Sequence, residues 1–223
     1  MECKLNEIEQ KIPKQVYECL ERNDIKELRP AQSKAVKAGL LEGKSLLICT
    51  PTASGKTLIA ELAATKSILE GRGKAIYITP LKALASEKYR EFKKKYNDMF
   101  NIALAIGDMD SPDYHLANYD LIICTSEKLD SLIRHHSPWI KQVAVVIADE
   151  IHLLNDHGRG PTLEILLTML RQMIKSIQII GLSATIGNEK ELAEWLDANL
   201  VDDKWRPVKL HKGIYFDEKL KFY

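Results

Sequence analysis

The segment Thr50–Thr57 (TPTASGKT) places a glycine, a lysine and hydroxyl side chains between an apolar run and a helical pattern. Glycine lets backbone amides curve around phosphate oxygens, and the N-terminus of the following helix adds positive potential. In such a loop the lysine reaches the β- and γ-phosphates, and the hydroxyl after it ligates Mg²⁺. The segment therefore predicts a nucleotide site in which Lys56 holds the phosphates and Thr57 holds the metal.

Thr50 occupies the position where the strict form of this loop has glycine, so the loop is not of the common kinase or GTPase type. A chance helix cap is the alternative interpretation of the segment. The strand–loop–helix context favours a phosphate loop. Its lining residues are predicted to be Thr52, Ala53, Ser54, Gly55, Lys56 and Thr57.

A second candidate element is the tetrapeptide Asp149–His152 (DEIH), which follows the apolar run Val143–Ala148. Asp149 is predicted to hold Mg²⁺ mostly through water, because Mg²⁺ keeps several waters in protein sites. Glu150 is predicted to orient and deprotonate the attacking water, since phosphoryl transfer depends on positioning. An acidic turn after a core strand is the alternative. His152 has no partner at zinc-site spacing, and a role in coupling nucleotide to nucleic acid is predicted for it.

Apolar runs alternate with helical patterns along most of the chain, and the runs are uniformly apolar, which is typical of strands covered on both faces. The pattern predicts a doubly wound α/β domain with a mostly parallel sheet and helices on both faces. The predicted strands are Ser45–Cys49, Ala75–Ile78, Ile102–Ala105, Leu121–Cys124, Val143–Ala148 and Ile177–Ile180. The predicted helices are Thr57–Glu70, Leu81–Tyr96, Glu127–His135, Thr162–Lys175 and Glu189–Ala198.

Bulk composition limits the classes of protein. The 223 residues are 45% hydrophobic and 28% charged, with a net charge of +1, so a packed core is expected and non-specific coating of nucleic acid is not. The charged N-terminus lacks the apolar stretch of a signal peptide, and no apolar run approaches the roughly 20 residues that span a bilayer. A cytoplasmic protein with reduced cysteines and no membrane association is predicted.

The order of these motifs, followed by Ser183-Ala184-Thr185, resembles the DExH group of superfamily 2 helicases, whose motor domains have a RecA-like P-loop NTPase fold. Four further segments resemble the archaeal Holliday-junction-migration and HELQ-type repair helicases. They are Thr79–Tyr89 (TPLKALASEKY), Ala105–Ser111 (AIGDMDS), Thr125–Arg134 (TSEKLDSLIR) and Gly181–Asn188 (GLSATIGN). The resemblance covers about residues 10 to 215.

The resemblance implies further roles. Gln32, in the segment RPAQ, would contact adenine and make ATP the nucleotide, bound with Mg²⁺. Ser183 and Thr185 would couple the ATP state to domain movement. The residues implied to lie along the nucleic-acid backbone are Pro80, Leu81, Lys82, Gly107, Asp108, Thr125, Ser126 and Lys128. Thr125 and Ser126 stand at a helix start, where helix capping is an equally good interpretation.

The expected partners are single-stranded or forked DNA and a second RecA-like domain of the same protein. No aromatic platform recurs among the basic segments, so contacts to sugar and phosphate are expected rather than base stacking. For the lysines at positions 93 to 95, a solvated helix face is the favoured interpretation.

Three regions are predicted: residues 1–43 with N-terminal helices and the adenine motif, 44–200 as the first RecA-like domain, and 201–223 as an edge strand or a linker to a second such domain. No arginine-rich motif of the second domain is found in the sequence. The chain alone is therefore expected to be monomeric and nearly inactive, since such arginines contribute about 10³ to 10⁵ in turnover.

The function implied is the front motor domain of an ATP-dependent DNA helicase that translocates 3′ to 5′. An RNA helicase of the same group remains an alternative, because motor motifs follow the backbone. A non-catalytic ATP-dependent nucleic-acid-binding module is a third.

Overall fold

The N-terminal elements cover one end of the main sheet in the computed structural model, which describes residues 3–107 and 113–222. Strand β1 (Cys3–Lys4) pairs antiparallel with β2 (Glu27–Leu28). Between these strands lie a 3-10 helix, Leu5–Lys11, and helix α1, Lys14–Arg22. Helix α2 (Pro30–Lys37) follows β2, and Pro30 stands in its first turn, where the missing N–H of proline costs nothing.

The central sheet has seven parallel strands. The strands are β3 (Leu46–Cys49), β4 (Lys74–Thr79), β5 (Ile102–Ala105), β6 (Leu121–Thr125), β7 (Val143–Ala148), β8 (Gln178–Ser183) and β9 (Asn199–Asp202). The helices that connect them are α3 (Lys56–Leu69), α4 (Lys82–Tyr96), α5 (Ser126–Arg134), α6 (Gly160–Met173) and α7 (Glu189–Leu196). Short 3-10 helices lie at Tyr114–Asn118, Pro138–Gln142 and Ile151–Asn155.

Helices pack on both faces of this sheet, as the uniformly apolar strands predict. One apolar layer joins the N-terminal elements, α3 and α4 to the sheet, with Tyr77 and Phe92 at its centre. The other layer joins α5, α6 and α7 to the opposite face, around Trp139 and Leu166. The prediction of a doubly wound, RecA-like α/β fold is therefore confirmed, and all seven strands are parallel.

The spatial order of the strands is β5-β6-β4-β7-β8-β3-β9. All six predicted strands are present, with ends that differ by at most three residues. The pairing of β4 with β7 contains one irregularity: Lys74 pairs with Val143, and Ala75 pairs with Val145, so Ala144 is an extra residue in β7. Gly73 precedes this point, and a Cβ there would lie 2.4 Å from the carbonyl oxygen of Gln142.

The region after α7 differs from the single edge strand or linker expected over 201–223. Edge strand β9 begins at Asn199, two residues earlier, and pairs with β3. An exposed hairpin of β10 (Gly213–Phe216) and β11 (Lys219–Phe222) follows. None of the described helices is both long and apolar enough to cross a bilayer.

Gly160 allows the first turn of α6 to pack against the 3-10 helix that follows β7. A Cβ at Gly160 would lie 2.1 Å from the carbonyl oxygen of Leu154, a backbone atom that cannot turn aside. We expect Gly160→Ala to lower the free energy of unfolding by about 1–3 kcal/mol, the usual range for overpacking. Urea denaturation measures this change. Gly187→Ala is the matched control and should be nearly neutral, because a Cβ there meets no atom of residues 3–107 and 113–222 within 4 Å.

Candidate nucleotide and nucleic-acid site

The phosphate loop joins β3 to α3 through two residues with left-handed backbone, Ala53 (φ +65°) and Gly55 (φ +90°). Ala53 accepts this conformation as a non-glycine residue, which is uncommon and typical of functional loops. There is also no room for a side chain at Gly55, because a Cβ there would lie 2.4 Å from Nε2 of Gln32. Helix α3 begins directly after it, at Lys56, so its N-terminal amides face the loop.

Thr50 has a structural reason to replace glycine in this loop. Its buried hydroxyl lies 2.6 Å from the hydroxyl of Ser54, which is also buried. This hydrogen bond closes the base of the loop across four residues. The departure from the strict motif therefore introduces a bond within the loop that glycine could not make.

The ammonium of Lys56 lies between the carboxyl ends of two strands. It donates to the carbonyl oxygens of Thr50 and Ser183, each at 3.0 Å. Burial lowers the pKa of Lys56, while the nearby carboxylates of Glu150 and Asp149 oppose that shift. The loop lysine and the acidic pair after β7 are thus close enough to interact electrostatically.

The start of α2 clamps the loop from the other side. Gln32 accepts a hydrogen bond from the Arg29 backbone at 2.8 Å and donates to the carbonyl oxygen of Gly55 at 2.9 Å. The guanidinium of Arg29 donates to the carbonyl oxygen of Ala53 at 2.7 Å. A cleft of about 1090 Å³ opens beside Arg29, Gln32, Gly55 and Thr57, which is ample space for a nucleoside.

Asp149 follows β7 directly, and both of its carboxylate oxygens are engaged. Oδ2 accepts a hydrogen bond from the Tyr77 hydroxyl at 2.9 Å, and Oδ1 accepts one from the Glu150 backbone at 3.0 Å. Burial raises the pKa of Asp149, and the Tyr77 hydrogen bond and the charge of Lys88 partly offset this rise. The carboxylate is thus desolvated but held in a fixed orientation.

Glu150 adopts left-handed backbone with φ +50°, a conformation that costs a non-glycine residue on the order of 1–3 kcal/mol. The carboxylate of Glu150 is half-exposed and lies beside the ring of His152. Nδ1 of His152 is 3.3 Å from Oε2 of Glu150, without the alignment of a hydrogen bond. Such strain is characteristic of residues whose position matters more than their contribution to stability.

The side chains at the candidate metal position suit a hard cation. Thr57 offers a hydroxyl and Asp149 a carboxylate, which are oxygen ligands of the type that Mg²⁺ prefers. A cation already stands beside Thr57, since the ammonium of Lys88 lies 3.4 Å from its Oγ1. Glu91 pairs with this ammonium at 2.8 Å. The residues present therefore fit a bound Mg²⁺, with few protein ligands and room for water.

Ser183 is the last residue of β8, and Thr185 lies on the segment that follows it. The hydroxyl of Ser183 is buried and has no hydrogen-bond partner among the described residues, while its backbone carbonyl binds Lys56. Thr185 is exposed. The end of β8 therefore contacts the phosphate loop through its backbone, and the hydroxyl of Thr185 is left at the surface.

The residues expected to contact nucleic acid follow β4, β5 and β6, which are neighbours in the sheet. Leu81 and Lys82 are exposed at the start of α4, and Pro80 is half-exposed. Gly107 has φ +108°, and no atom of the described residues lies within 4 Å of the position that a Cβ would take there. Asp108 lies outside the described residues.

The side chains of Thr125, Ser126 and Lys128 make contacts within the protein. The Thr125 hydroxyl accepts a hydrogen bond from the Lys128 backbone at 3.4 Å, so it caps α5, and Ser126 is buried. The side chain of Lys128 is 3% exposed and its ammonium lies 2.7 Å from a carboxylate oxygen of Asp113. Helix geometry turns this lysine inward, so it does not reach a phosphate in this conformation.

The sequence does not predict the site contacts of three side chains, which are those of Tyr77, Lys88 and Arg29. The strand pattern of Ala75–Ile78 predicts Tyr77 only as a strand residue, and the sequence assigns Lys88 no role in the site. Each makes its contact across a large sequence separation, and no local pattern indicates it. The period of two in β4 is the one available signal, because it places Tyr77 on the same face as Thr79.

The fold, the phosphate loop and the acidic turn together have the features of a P-loop helicase domain. The family model for DEAD/DEAH box helicases matches residues 29–193. The chain belongs to this family.

Among curated proteins, it is 57% identical over 214 residues to the ATP-dependent DNA helicase Hel308 of Methanocaldococcus jannaschii, covering 93% of this chain and 18% of that protein. It is 53% identical over 205 residues to Hel308 of Pyrococcus abyssi, covering 92% of this chain and 28% of that protein. The chain thus spans less than a third of these relatives.

Solved helicases share the fold. A crystal structure of the DUF1998 helicase MrfA bound to DNA superposes with a TM-score of 0.71 at 27% identity, covering 87% of this chain and 30% of that one. A second MrfA structure gives a TM-score of 0.75 at 28% identity, over 86% of this chain and 33% of that one.

The raised pKa of Asp149 has a consequence for stability. An acid whose pKa is higher in the folded state stabilises the fold when protonated, and this stabilisation is lost as pH rises through the raised value. Asp149→Asn cannot ionise; its oxygen can still accept from the Glu150 backbone while its amide donates to the Tyr77 hydroxyl. In the nucleotide-free protein at pH 7.5 we expect it to raise the free energy of unfolding by on the order of 1 kcal/mol.

Urea denaturation at pH 7.5 and pH 4 measures this effect, and the gain should shrink at the lower pH. Asp156→Asn is the control of opposite sign. Backbone hydrogen bonds from Arg159 and Gly158 lower the pKa of Asp156, so its replacement should destabilise the protein at pH 7.5. Equal effects of the two variants would contradict this account.

Proposed function

We propose that this chain is the first RecA-like motor domain of an ATP-dependent DNA helicase. One observation carries the proposal: the nucleotide residues follow β3, β7 and β8, the nucleic-acid residues follow β4 and β5, and all these strands end at one edge of a single parallel sheet. Ligands of open α/β sheets bind beyond this edge.

In the proposed nucleotide site, the loop residues Thr52–Thr57 surround the phosphates of ATP, and Lys56 supplies the main positive charge. Its ammonium would leave the carbonyl oxygens of Thr50 and Ser183 to reach the triphosphate. Burial keeps this ammonium poorly hydrated, so its hydrogen bonds to phosphate are strong. Gln32 is proposed to exchange its bond with Gly55 for the adenine edge, which would select ATP.

Thr57 and Asp149 are proposed to hold Mg²⁺, Thr57 directly and Asp149 mostly through water. The bound ion would neutralise charge on the β- and γ-phosphates. Glu150 is proposed to orient the attacking water and accept its proton, and its half-exposed carboxylate after the strained turn suits that role. The neighbouring ring of His152, together with Ser183 and Thr185, is proposed to couple nucleotide state to movement.

DNA is favoured as the nucleic acid because the curated relatives are named DNA helicases and one MrfA structure was solved with DNA. Pro80, Leu81 and Lys82 stand at the start of α4, where helix amides and a lysine favour phosphate. Gly107 lies at the end of β5, two strands away in the sheet. Contacts to sugar and phosphate at this surface are proposed to be sequence-independent, on single-stranded or forked DNA.

Efficient hydrolysis and unwinding are proposed to require a second RecA-like domain. Support comes from the resemblance of the motifs and from the length of the relatives, of which this chain spans less than a third. Arginines supplied across such an interface contribute about 10³ to 10⁵ in turnover in related NTPases.

The nucleotide proposal is tested by Lys56→Ala. Loss of the charged hydrogen bonds to phosphate should lower ATP–Mg²⁺ affinity by about 10- to 100-fold, which isothermal calorimetry measures. Lys66→Ala is the control, since Lys66 is on the same helix and bonds instead to Lys11 and Glu70. Equal ATP affinity in wild type and Lys56→Ala would contradict the proposal that Lys56 binds the phosphates.

The nucleic-acid proposal is tested by Lys82→Ala. A lost phosphate contact should weaken DNA binding similarly for all sequences, and should reduce the slope of log K against log salt by about one. Fluorescence anisotropy with single-stranded DNA over a range of salt gives both quantities. Lys93→Ala is the matched control, because Lys93 lies near the other end of α4 and contacts Tyr89. An unchanged slope in Lys82→Ala would show that Lys82 does not contact a DNA phosphate.

A further inference from the structure

Tyr77 brings a hydroxyl into a layer that is mostly apolar. Its side chain is fully buried on β4, and its ring packs edge-on against Phe92 with centroids 5.7 Å apart. A phenylalanine would fill this space equally well. Because a buried hydroxyl is costly unless it is hydrogen-bonded, its partner is informative. That partner is Oδ2 of Asp149, at 2.9 Å.

Sheet register brings these two residues together. Tyr77 pairs with Ile147 on the neighbouring strand β7. Asp149 comes two residues later, and alternate residues of a strand face the same side. The carboxylate therefore emerges beyond the strand end on the face that Tyr77 occupies.

Two bonds from different elements fix the Asp149 carboxylate. Tyr77 holds Oδ2 from β4, and the Glu150 backbone holds Oδ1 at 3.0 Å. An ionised carboxylate offers about four lone-pair sites, so two remain for other partners. A hydrated cation beside Thr57 would meet a carboxylate whose orientation is already set.

We propose that Tyr77 is a positioning residue that orients Asp149 for Mg²⁺. The proposal rests on the proposed function, in which Asp149 serves the metal. Groups that hydrogen-bond to metal ligands typically change metal affinity by about 10- to 100-fold when removed. Tyr77 itself does not touch the nucleotide or the metal; it acts through Asp149.

Tyr96 provides a matched comparison within the same core. It is also buried, its ring lies 5.8 Å from the other side of Phe92, and its hydroxyl donates to Oε2 of Glu61 at 2.9 Å. Glu61 is a buried residue of α3 that also pairs with Lys95. The two tyrosines thus make the same kind of bond in the same layer, and differ in which carboxylate they hold.

The experiment compares wild type, Tyr77→Phe, Tyr96→Phe and Asp149→Asn. ADP affinity is measured in EDTA and across a MgCl₂ titration, using a fluorescent ADP analogue as the probe. We expect Tyr77→Phe to raise the Mg²⁺ concentration for half-maximal effect by about tenfold or more. Its affinity in EDTA should stay within about twofold of wild type, which also reports that the loop is folded. Tyr96→Phe should keep the wild-type response to Mg²⁺.

A wild-type Mg²⁺ response in Tyr77→Phe, or an equal shift in Tyr96→Phe, would overturn the role of Tyr77 while leaving that of Asp149 intact. A wild type without any Mg²⁺ response, or an unaltered response in Asp149→Asn, would overturn both.

Discussion

The electrostatic attraction between the Lys56 ammonium and the carboxylates of Glu150 and Asp149 joins the phosphate loop to the acidic turn after β7. Burial acts against both partners, because it lowers the pKa of Lys56 and raises that of Asp149. The two carboxylates partly offset the cost of burying the ammonium, and the Tyr77 hydrogen bond and the charge of Lys88 partly offset the cost of burying Asp149. Carbonyl oxygens of Thr50 and Ser183 complete the solvation of the ammonium. The ammonium and the carboxylates thus lie near each other in a poorly hydrated site. In the proposed function, a magnesium triphosphate would bind between them.

The order of the strands places the acidic turn beside the strand that leads to the proposed nucleic-acid surface. Strands β5, β6 and β4 form one side of the sheet, and β7, β8 and β3 form the other. Their boundary lies between β4 and β7, which is also where Tyr77 meets Asp149 and where the Asp149 backbone donates to Ile78 at 2.9 Å. Any displacement of Asp149 therefore acts directly on the strand that leads to Pro80 and Lys82.

Local patterns were enough to predict the parallel sheet and its helices, because buried parallel strands are uniformly apolar and helices follow them in sequence. The phosphate loop and the acidic turn were recognisable for the same reason: each is a short segment at a strand end. Contacts between distant segments were not recognisable. Tyr77 and Asp149 are 72 positions apart.

Lys128 is a different case. The family resemblance implies a phosphate contact for it, and the helix face on which it lies turns inward to Asp113. Spacing along a helix indicates which residues share a face, but only tertiary packing decides which face is covered. The clamp of the phosphate loop by Arg29 is likewise a tertiary feature, since the local pattern around α2 gives no sign of it.

The extra residue Ala144 in β7 determines which way the acidic turn faces. If β7 instead paired with β4 in step from Lys74 and Val143 onwards, Tyr77 would lie opposite Val146 instead of Ile147. A strand that slips by one residue exchanges its two faces. Asp149 would then point to the side of α5 and α6, away from Tyr77 and the phosphate loop. An irregularity of a single residue at the far end of the strand, about 15 Å away at the usual rise per residue, thus determines on which face of the sheet the Asp149 carboxylate lies.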